Sequence, residues 1–350
     1  MFAILRYIQW NITLGKDKAV FRKTMPWIGA RQTSRLSFLL AAAALALGCA
    51  GGIAKAAPSQ IAIPGDGVYP ESITATSDGA LIIGSLATGN IYRAAPGSSS
   101  AKLWIKQASA DLLSVLGVLA DEKSSTLWVC SSDLSGAGIS VPGQKPTQLK
   151  AFDLESGQLK ASYPLPGDHT LCNDIVIGSD GSAYVTDSFQ PHVLRLKPGA
   201  KQFEIWATDD RFTVKNGAGL DGIAFGGDGN LYVNLYNGNK LFRIDVNKDG
   251  SAGKVTELQP SQPIALCDGM RKFGNNQLLM IEGTGNLDII TPEGDKAQVQ
   301  VVKDGFRTPV SVVQIGHIGW VLEGQLASLF NPKKNGPPEL PFRVYAVPLP

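Results

Sequence analysis

The sequence predicts an all-β fold built from repeated small antiparallel sheets, and three observations carry this prediction. Short apolar segments recur throughout residues 57–350. Asp-Gly turns separate several of them in pairs, as in Asp78-Gly79 and Asp180-Gly181. No long stretch of the chain shows the apolar periodicity of an α-helix. Asp-Gly between two short apolar segments is a strong hairpin signal, because the tight turn needs positive φ.

The paired segments form a repeat whose copies can be aligned along the chain. Four clear copies and two weaker ones begin at Glu71, Ser114, Asn173, Asp221, Asp268 and Pro309. A third segment that alternates apolar and polar residues follows several copies, as in 192–196 and 240–244. A period in the forties built of three or four short strands is typical of a propeller blade. We therefore predict a six-bladed β-propeller over residues 57–350.

The two ends of this region predict how the ring closes. Residues 59–63 (SQIAI) precede the first repeat, and residues 342–347 (FRVYAV) end the last one. An unpaired edge strand would favour aggregation. We predict that these N- and C-terminal strands pair in the last blade and lock the ring.

Residues 1–56 read as a leader with a signal peptide. An apolar segment at 37–48 follows Arg31 and Arg35, and Ala54-Lys55-Ala56 resembles a cleavage site. The segment is too short to span a membrane. We expect an exported protein, periplasmic or secreted. Met25 is an alternative start, and Cys49 leaves a lipid anchor open as a less favoured alternative.

The composition after residue 56 excludes several classes of partner. The leader holds eight of the 32 Lys and Arg and one of the 30 Asp and Glu, so the remainder is net acidic. A nucleic-acid surface needs clustered basic residues, and none is evident. No later segment is long enough to cross a membrane. We expect a monomer that acts on a small molecule.

Three cysteines remain after the leader. They are Cys130, Cys172 and Cys267. An odd number allows at most one internal disulfide and leaves one free thiol, with the pairing open. The spacing is not that of a zinc site.

The start of each repeat predicts a functional site. In a propeller, residues at one repeat position surround one mouth of the central channel, and four of the six starting residues carry a side-chain carboxylate or amide oxygen. They are Glu71, Asn173, Asp221 and Asp268. Two like charges about 4 Å apart repel by roughly 4 kcal/mol at an effective dielectric near 20, so either a compensating cation or raised pKa values are expected. Calcium prefers oxygen ligands, whereas zinc would need His or Cys. The alternative is that these residues merely end the inner strands and bind channel water.

These segments carry a family resemblance. YPES around Glu71, CNDI around Asn173, GLDGIAF around Asp221 and CDGM around Asp268 resemble the gluconolactonase/senescence-marker-protein family of six-bladed propellers. The resemblance covers residues 57–350. It implies that Glu71, Asn173, Asp221 and Asp268 hold a divalent cation, usually Ca²⁺. Asp221 departs from the family, which usually has Asn there, and its charge would weaken the polarising power of the ion.

The resemblance also implies an activity and roles for individual residues. The expected reaction is hydrolysis of a lactone or related ester, including sugar-derived ones. Asp268 or Asp221 would accept the proton of the attacking water, while Asn173 and Asp174 would orient the substrate. His169 is a candidate proton shuttle; the alternative is a solvated loop histidine. From a different class, the chain could be a non-catalytic propeller that binds a ligand or partner through its top face.

Overall fold

The computed structural model describes residues 58–143 and 146–350. The predicted leader of residues 1–56, with Met25 and Cys49, lies outside the described residues. None of the helices in the described part of the chain is long and apolar enough to cross a membrane.

The first half of the described chain consists of a lone strand followed by three four-stranded units. The lone strand is β1 (Gln60–Ile63). The first unit holds β2 (Pro70–Ala75), β3 (Leu81–Ser85), β4 (Ile91–Ala94) and β5 (Lys102–Ile105), followed by the short helix α1 (Gln107–Ala110). The second holds β6 (Ser114–Asp121), β7 (Thr126–Ser132), β8 (Gln148–Asp153) and β9 (Leu159–Pro164). The third holds β10 (Cys172–Ile177), β11 (Ala183–Asp187), β12 (His192–Leu196) and β13 (Glu204–Thr208).

The second half repeats the pattern. The fourth unit holds β14 (Leu220–Phe225), β15 (Leu231–Leu235), β16 (Lys240–Val246) and β17 (Ala252–Pro260). The fifth holds β18 (Cys267–Phe273), β19 (Gln277–Glu282), β20 (Asn286–Glu293) and β21 (Lys296–Lys303). The last holds β22 (Pro309–Ile315), β23 (Ile318–Glu323), the helices α2 (Leu326–Phe330) and α3 (Pro332–Asn335), and β24 (Phe342–Pro348).

Within each unit, consecutive strands are antiparallel neighbours. The described strands form four four-stranded sheets and one eight-stranded sheet. The fourth and fifth units make up the eight-stranded sheet, because a short parallel pairing joins β17 to β21, with Gln259 opposite Lys296 and Pro260 opposite Ala297. The repeating unit is therefore a four-stranded antiparallel meander.

The first strands of the units lie next to one another in a closed circuit. Strand β2 contacts β6, β6 contacts β10, and β10 contacts β14. Strand β14 then contacts β18, β18 contacts β22, and β22 contacts β2 again. The apolar core lies between neighbouring units: Ile82 and Ile91 of the first unit cluster with Val118 and Val129 of the second. All six first strands thus surround one axis.

Closure of the ring takes place in the sheet that contains both ends of the described chain. The strand order of this sheet is β1-β24-β23-β22. Strands β1 and β24 are antiparallel, with Gln60 opposite Tyr345 and Ile63 opposite Phe342. The predicted pairing of the N- and C-terminal strands is confirmed.

A disulfide settles the cysteine pairing that the sequence left open. Cys130 on β7 is bonded to Cys172 on β10, with their Cα atoms 5.2 Å apart. The third cysteine, Cys267, is free and buried. The disulfide therefore ties the second unit to the third, immediately beside Asn173.

Candidate functional site

Each first strand contains a β-bulge near its start, and the bulge brings one residue of each unit to the same place. In β10, for example, the pairing with β11 shifts between Cys172 and Ile175. The residue that directly follows the last regular pair before the bulge is equivalent in all six strands. These residues are Glu71, Leu116, Asn173, Asp221, Asp268 and Val310.

This register corrects the sequence alignment at two of the six positions. Ser114 and Pro309 were predicted as ring residues, but Leu116 and Val310 take these places. In the second unit the strands extend past the bulge, so that Ser114 pairs with Ser132. In the last unit the turn is shorter, with Ile315 opposite Ile318, which shifts the count by one residue. The four oxygen-bearing positions are unaffected.

The structure brings together all four predicted metal-ligating residues. Glu71, Asn173, Asp221 and Asp268 are buried and line one small void of about 10 Å³. This volume is about the minimum that holds one water molecule. The hydroxyl of Ser311 also lines the void and has no hydrogen-bond partner among the described residues. The void is therefore polar and sized for a single water or ion.

The same four residues also line a much larger pocket. Its volume is about 480 Å³, within the range of small-molecule sites. Its walls are mainly apolar, and six of the lining residues are leucines, which we call the leucine wall: Leu86, Leu116, Leu134, Leu171, Leu266 and Leu326. The four oxygen-bearing residues, which we call the polar floor, therefore connect an ion-sized void with a ligand-sized pocket.

Hydrogen bonds orient the amide of Asn173. Its Nδ2 donates to Ser188 Oγ at 2.9 Å and to Asp221 Oδ2 at 2.8 Å. Ser188 in turn donates to the carbonyl oxygen of Leu220 at 2.5 Å. Because both amide hydrogens are donated, the carbonyl oxygen of Asn173 is the atom left to bind a cation or ligand.

Burial and mutual repulsion raise the pKa values of the floor carboxyls. Burial contributes most to each shift. For Asp221 it acts together with the charge of Asp174 and raises the pKa to about 8. The pKa values of Glu71 and Asp268 are raised well above their usual range by burial and then by Asp221. Such a cluster retains protons unless a positive charge compensates it.

One compensating charge, Arg271, was missed by the sequence analysis. Its Nη1 lies 2.5 Å from Asp174 Oδ2, and it lowers the pKa values of Glu71 and Asp221. Nothing in the repeat pattern marks Arg271, since it is an ordinary residue of β18. It partly offsets the negative charge of the floor.

Asp174 lies beside the floor but faces a different environment from the one predicted for a substrate-orienting residue. It lines the small void and not the larger pocket. Its Oδ1 accepts a hydrogen bond from the backbone N–H of Ile175 at 2.9 Å, and Oδ2 binds Arg271. This position suits the anchoring of Arg271, and a direct role toward substrate stays a prediction.

Tyr236 is a second residue of the site that the sequence analysis missed. It lines the larger pocket, one residue beyond the end of β15. Burial raises the pKa of its hydroxyl, and the charges of Asp268, Asp221 and Glu71 add to the shift. The position after the second strand of each unit was the signal that could have identified it, because Leu86 and Gly283 line the same pocket from equivalent places.

His169 does not line the pocket. Its side chain is exposed and stacks on Phe189, with ring centroids 4.6 Å apart. Phe189 itself lines the pocket. The structure therefore places His169 behind one aromatic ring, and its predicted role as a proton shuttle stays a prediction.

The fit of a cation depends on the donor set. Among the described residues, no group of three or more His, Cys, Asp or Glu side chains is arranged so that it could hold a metal ion. The bond from Asn173 to Asp221, and the close approach of Asp221 to Asp268, direct these groups toward each other. The chemistry of the set, three carboxylates and an amide without His or Cys, suits a hard cation such as Ca²⁺. The chemistry of the donors therefore suits such a cation, whereas the arrangement of the described side chains is not that of a metal site.

Comparison with known proteins identifies the fold. No protein-family profile and no curated protein matches the chain. Among solved structures, a gluconolactonase from Xanthomonas campestris is 15% identical, with coverage of 81% of this chain and 87% of that one and a TM-score of 0.58. A putative gluconolactonase is 15% identical, with coverage of 85% and 95% and a TM-score of 0.60. Virginiamycin B lyase from Staphylococcus aureus, bound to quinupristin, is 18% identical, with coverage of 82% and 83% and a TM-score of 0.55.

These similarities show a β-propeller. The predicted resemblance to gluconolactonase-like propellers is confirmed at the level of the fold. Identities of this size carry no activity from one chain to the other.

Proposed function

We propose that this chain is an exported, calcium-dependent hydrolase of a lactone or related ester, built as a six-bladed propeller. One observation carries the proposal: Glu71, Asn173, Asp221 and Asp268 share an ion-sized void at the polar floor of a ligand-sized pocket. The closed circuit of six first strands supports the blade number. The predicted leader supports export, and we propose a monomer.

The polar floor would hold the cation. Glu71, Asp221 and Asp268 offer carboxylate oxygens, and Asn173 offers its amide oxygen. A bound Ca²⁺ would supply Lewis acidity toward the carbonyl oxygen of the substrate. It would also neutralise charge that otherwise raises the pKa values of the floor carboxyls.

The remaining roles belong to protein groups around the floor. Asp268 or Asp221 would accept the proton of the attacking water. The Tyr236 hydroxyl, close to the floor, would donate a hydrogen bond to a substrate oxygen. Asn173 and Asp174 remain candidates for orienting the substrate, and His169 remains a candidate shuttle at the outer side of Phe189.

The known proteins with this fold favour hydrolase or lyase activity for this chain. The solved structures with this fold include a gluconolactonase and virginiamycin B lyase. Hydrolysis is the better fit here, because the floor offers carboxylates that can accept a proton from water.

A second candidate is a non-catalytic propeller that binds a small molecule in the same pocket. The observation that favours it is the arrangement of the described acidic side chains, which is not that of a preformed metal site. Asp221, in place of the usual Asn, points the same way.

A lactone panel assayed with calcium and with a chelator tests the proposal. We expect hydrolysis of at least one lactone in calcium, loss of activity with chelator, and a loss of about 100-fold or more in Asp268→Asn, as for removal of a group that acts in proton transfer. The exposed Asp304→Asn is the matched control and should retain activity. Ligand binding without turnover of any lactone would support the second candidate instead.

A further inference from the structure

The walls of the pocket differ in chemistry from its floor. Beyond the polar floor, the described lining contains no Lys, Arg or His. The leucine wall comes from several units of the ring: Leu116 lies on β6, Leu171 precedes β10, and Leu266 precedes β18. Apolar side chains from several units thus face the same pocket.

The insertion between β23 and β24 extends this apolar surface. Leu326, Ala327 and Phe330 of α2 line the pocket. Leu326 also packs against the apolar clusters of both the closing sheet and the second and third units. Phe330 is 52% exposed, a high value for an aromatic residue on a pocket. The helix therefore adds further apolar side chains to the pocket lining.

Few wall groups are available to a polar ligand. The hydrogen-bonding side chains of the wall are Tyr236, Asn237 and Thr308. Asn237 Oδ1 already accepts a hydrogen bond from the backbone N–H of Ala218 at 2.8 Å. A polyhydroxylated sugar lactone would leave several buried hydroxyls without partners, which is unfavourable. An alkyl or aryl group would instead be transferred from water to an apolar surface.

We propose, on the basis of the proposed hydrolase function, that the substrate is a lactone or ester with a long apolar substituent and not a sugar lactone. The ester group contacts the polar floor, and the apolar substituent lies along the leucine wall and α2. The pocket volume of about 480 Å³ accommodates such a substituent in addition to the reacting ring.

The direct test is a homologous series of substrates. We would measure kcat/KM in calcium for γ-valerolactone, γ-octalactone, γ-decalactone and glucono-δ-lactone. We expect an increase of about fourfold per methylene, equivalent to ~0.8 kcal/mol, until the pocket is filled. Glucono-δ-lactone should be a poorer substrate than the shortest alkyl lactone. If kcat/KM did not change with alkyl chain length and glucono-δ-lactone were the preferred substrate, the inference would be overturned and the hydrolase proposal would remain intact.

A binding measurement separates this inference from the proposed activity. Calorimetry with γ-decalactam, γ-valerolactam and gluconolactam, which carry a more stable amide, needs no turnover. Tighter binding of the long-chain lactam would uphold the ligand class even if every lactone resisted hydrolysis. Equal binding of the two alkyl lactams, or no binding of either, would contradict it.

Two wall variants locate the effect. Leu326→Asn and Phe330→Asn should each lower the gain per methylene to less than twofold, in hydrolysis and in lactam binding. Leu103→Asn is the control, because Leu103 is exposed on β5 and is not a lining residue of the pocket. Thermal unfolding shows whether each variant is folded. Because Phe330 is half exposed, Phe330→Asn should disturb the fold less than Leu326→Asn. An unchanged dependence on chain length in folded Phe330→Asn and Leu326→Asn would refute the assignment of this wall.

Discussion

At the scale of single residues, the polar floor places three carboxyls where burial opposes their charge. Asp221 is central, since it accepts a hydrogen bond from Asn173 and raises the pKa values of both Glu71 and Asp268. Arg271 offsets part of this charge through Asp174. Asp221 stands where the family that this chain resembles usually has Asn. Its charge is also the one that raises the pKa values of Glu71 and Asp268 most.

Replacement of this residue makes the first prediction. Asp221→Asn removes a buried carboxyl whose pKa of about 8 makes folding take up a proton at neutral pH, and it keeps an oxygen, so the calcium-free protein should become more stable and its Tm should rise by a few degrees. Calcium affinity should fall by roughly tenfold, because fewer ligand charges face the ion. Thermal unfolding with and without calcium measures both effects. A lower Tm in the absence of calcium would contradict the electrostatic account of the floor.

A second buried carboxyl, outside the site, predicts the pH dependence of stability. Burial, with Glu282 adjacent, raises the pKa of Asp288 to about 8, and no described residue donates a hydrogen bond to its carboxylate. An unfolded Asp has a pKa of about 3.9, so at any pH between about 4 and about 8 the protein takes up a proton at Asp288 when it folds. The contribution of Asp288 is fully present below about pH 4 and is lost as the pH rises toward about 8.

Asp288→Asn should flatten this dependence. Its stability relative to the wild type should increase from pH 5 to pH 8, by at most ~1.4 kcal/mol per pH unit. Urea unfolding at pH 5, 6.5 and 8 measures the difference, with the exposed Asp304→Asn as the control. A constant difference across this range would show that Asp288 does not titrate as described.

At the scale of elements, the bulged first strands approach one another too closely for a side chain at some positions. A Cβ at Gly222 of β14 would lie 2.5 Å from the carbonyl oxygen of Asp268 and 2.8 Å from the backbone nitrogen of Met270. Backbone atoms of β18 cannot yield as a flexible side chain could. The glycine after Asp221 therefore sets the distance between the strands that carry Asp221 and Asp268.

Gly222→Ala should separate these two strands. We expect a loss of about 1–3 kcal/mol of unfolding free energy and weaker calcium binding. Gly67→Ala is the matched control, because no atom lies within 4 Å of a Cβ at Gly67. Chemical denaturation and calcium titration of both variants check the prediction. Equal stability of the two variants would show that the close approach is not needed.

At the scale of the whole molecule, the pairing of β1 with β24 closes the ring. Ile63 is fully buried opposite Phe342, whereas Gln60 is exposed on the same strand. The strand therefore supplies both backbone hydrogen bonds and core side chains to the last sheet. Without it, β24 would present an unpaired edge.

Weakening this strand should destabilise the whole ring. Ile63→Ala should lower the free energy of unfolding by about 2–5 kcal/mol, as for other buried isoleucines. Gln60→Ala, on the same strand, should have little effect. A single cooperative transition shifted in Ile63→Ala would show that closure stabilises the molecule as a unit. Equal stability of the two variants would mean that closure contributes little.

The periodicity of the sequence predicted much of this architecture. The repeated pairs of apolar segments located the first two strands of each unit, and the terminal segments outside the repeats predicted the closing pair. Glu71, Asn173, Asp221 and Asp268 were found because they recur at one repeat position. Ser114 and Pro309 were assigned wrongly, because a bulge and a changed turn length alter the register without altering the apolar pattern.

The rest of the site depends on contacts that no local pattern reveals. Arg271 reaches Asp174 from a residue 97 positions away in the sequence. The leucine wall is assembled from strand β6, from loops of several units and from the insertion between β23 and β24, and no sequence pattern marks these residues as neighbours. The stacking of His169 on Phe189 is likewise a contact that the sequence does not reveal.

Calcium titration by calorimetry tests the central claim most directly. The mature protein, freed of metal, should bind one calcium ion per chain, and Glu71→Gln and Asp268→Asn should each weaken that binding at least tenfold, while Asp304→Asn should not. Absence of calcium binding by the folded wild-type protein, or equal affinity in the floor variants and the control, would contradict the assignment of this floor as a cation site.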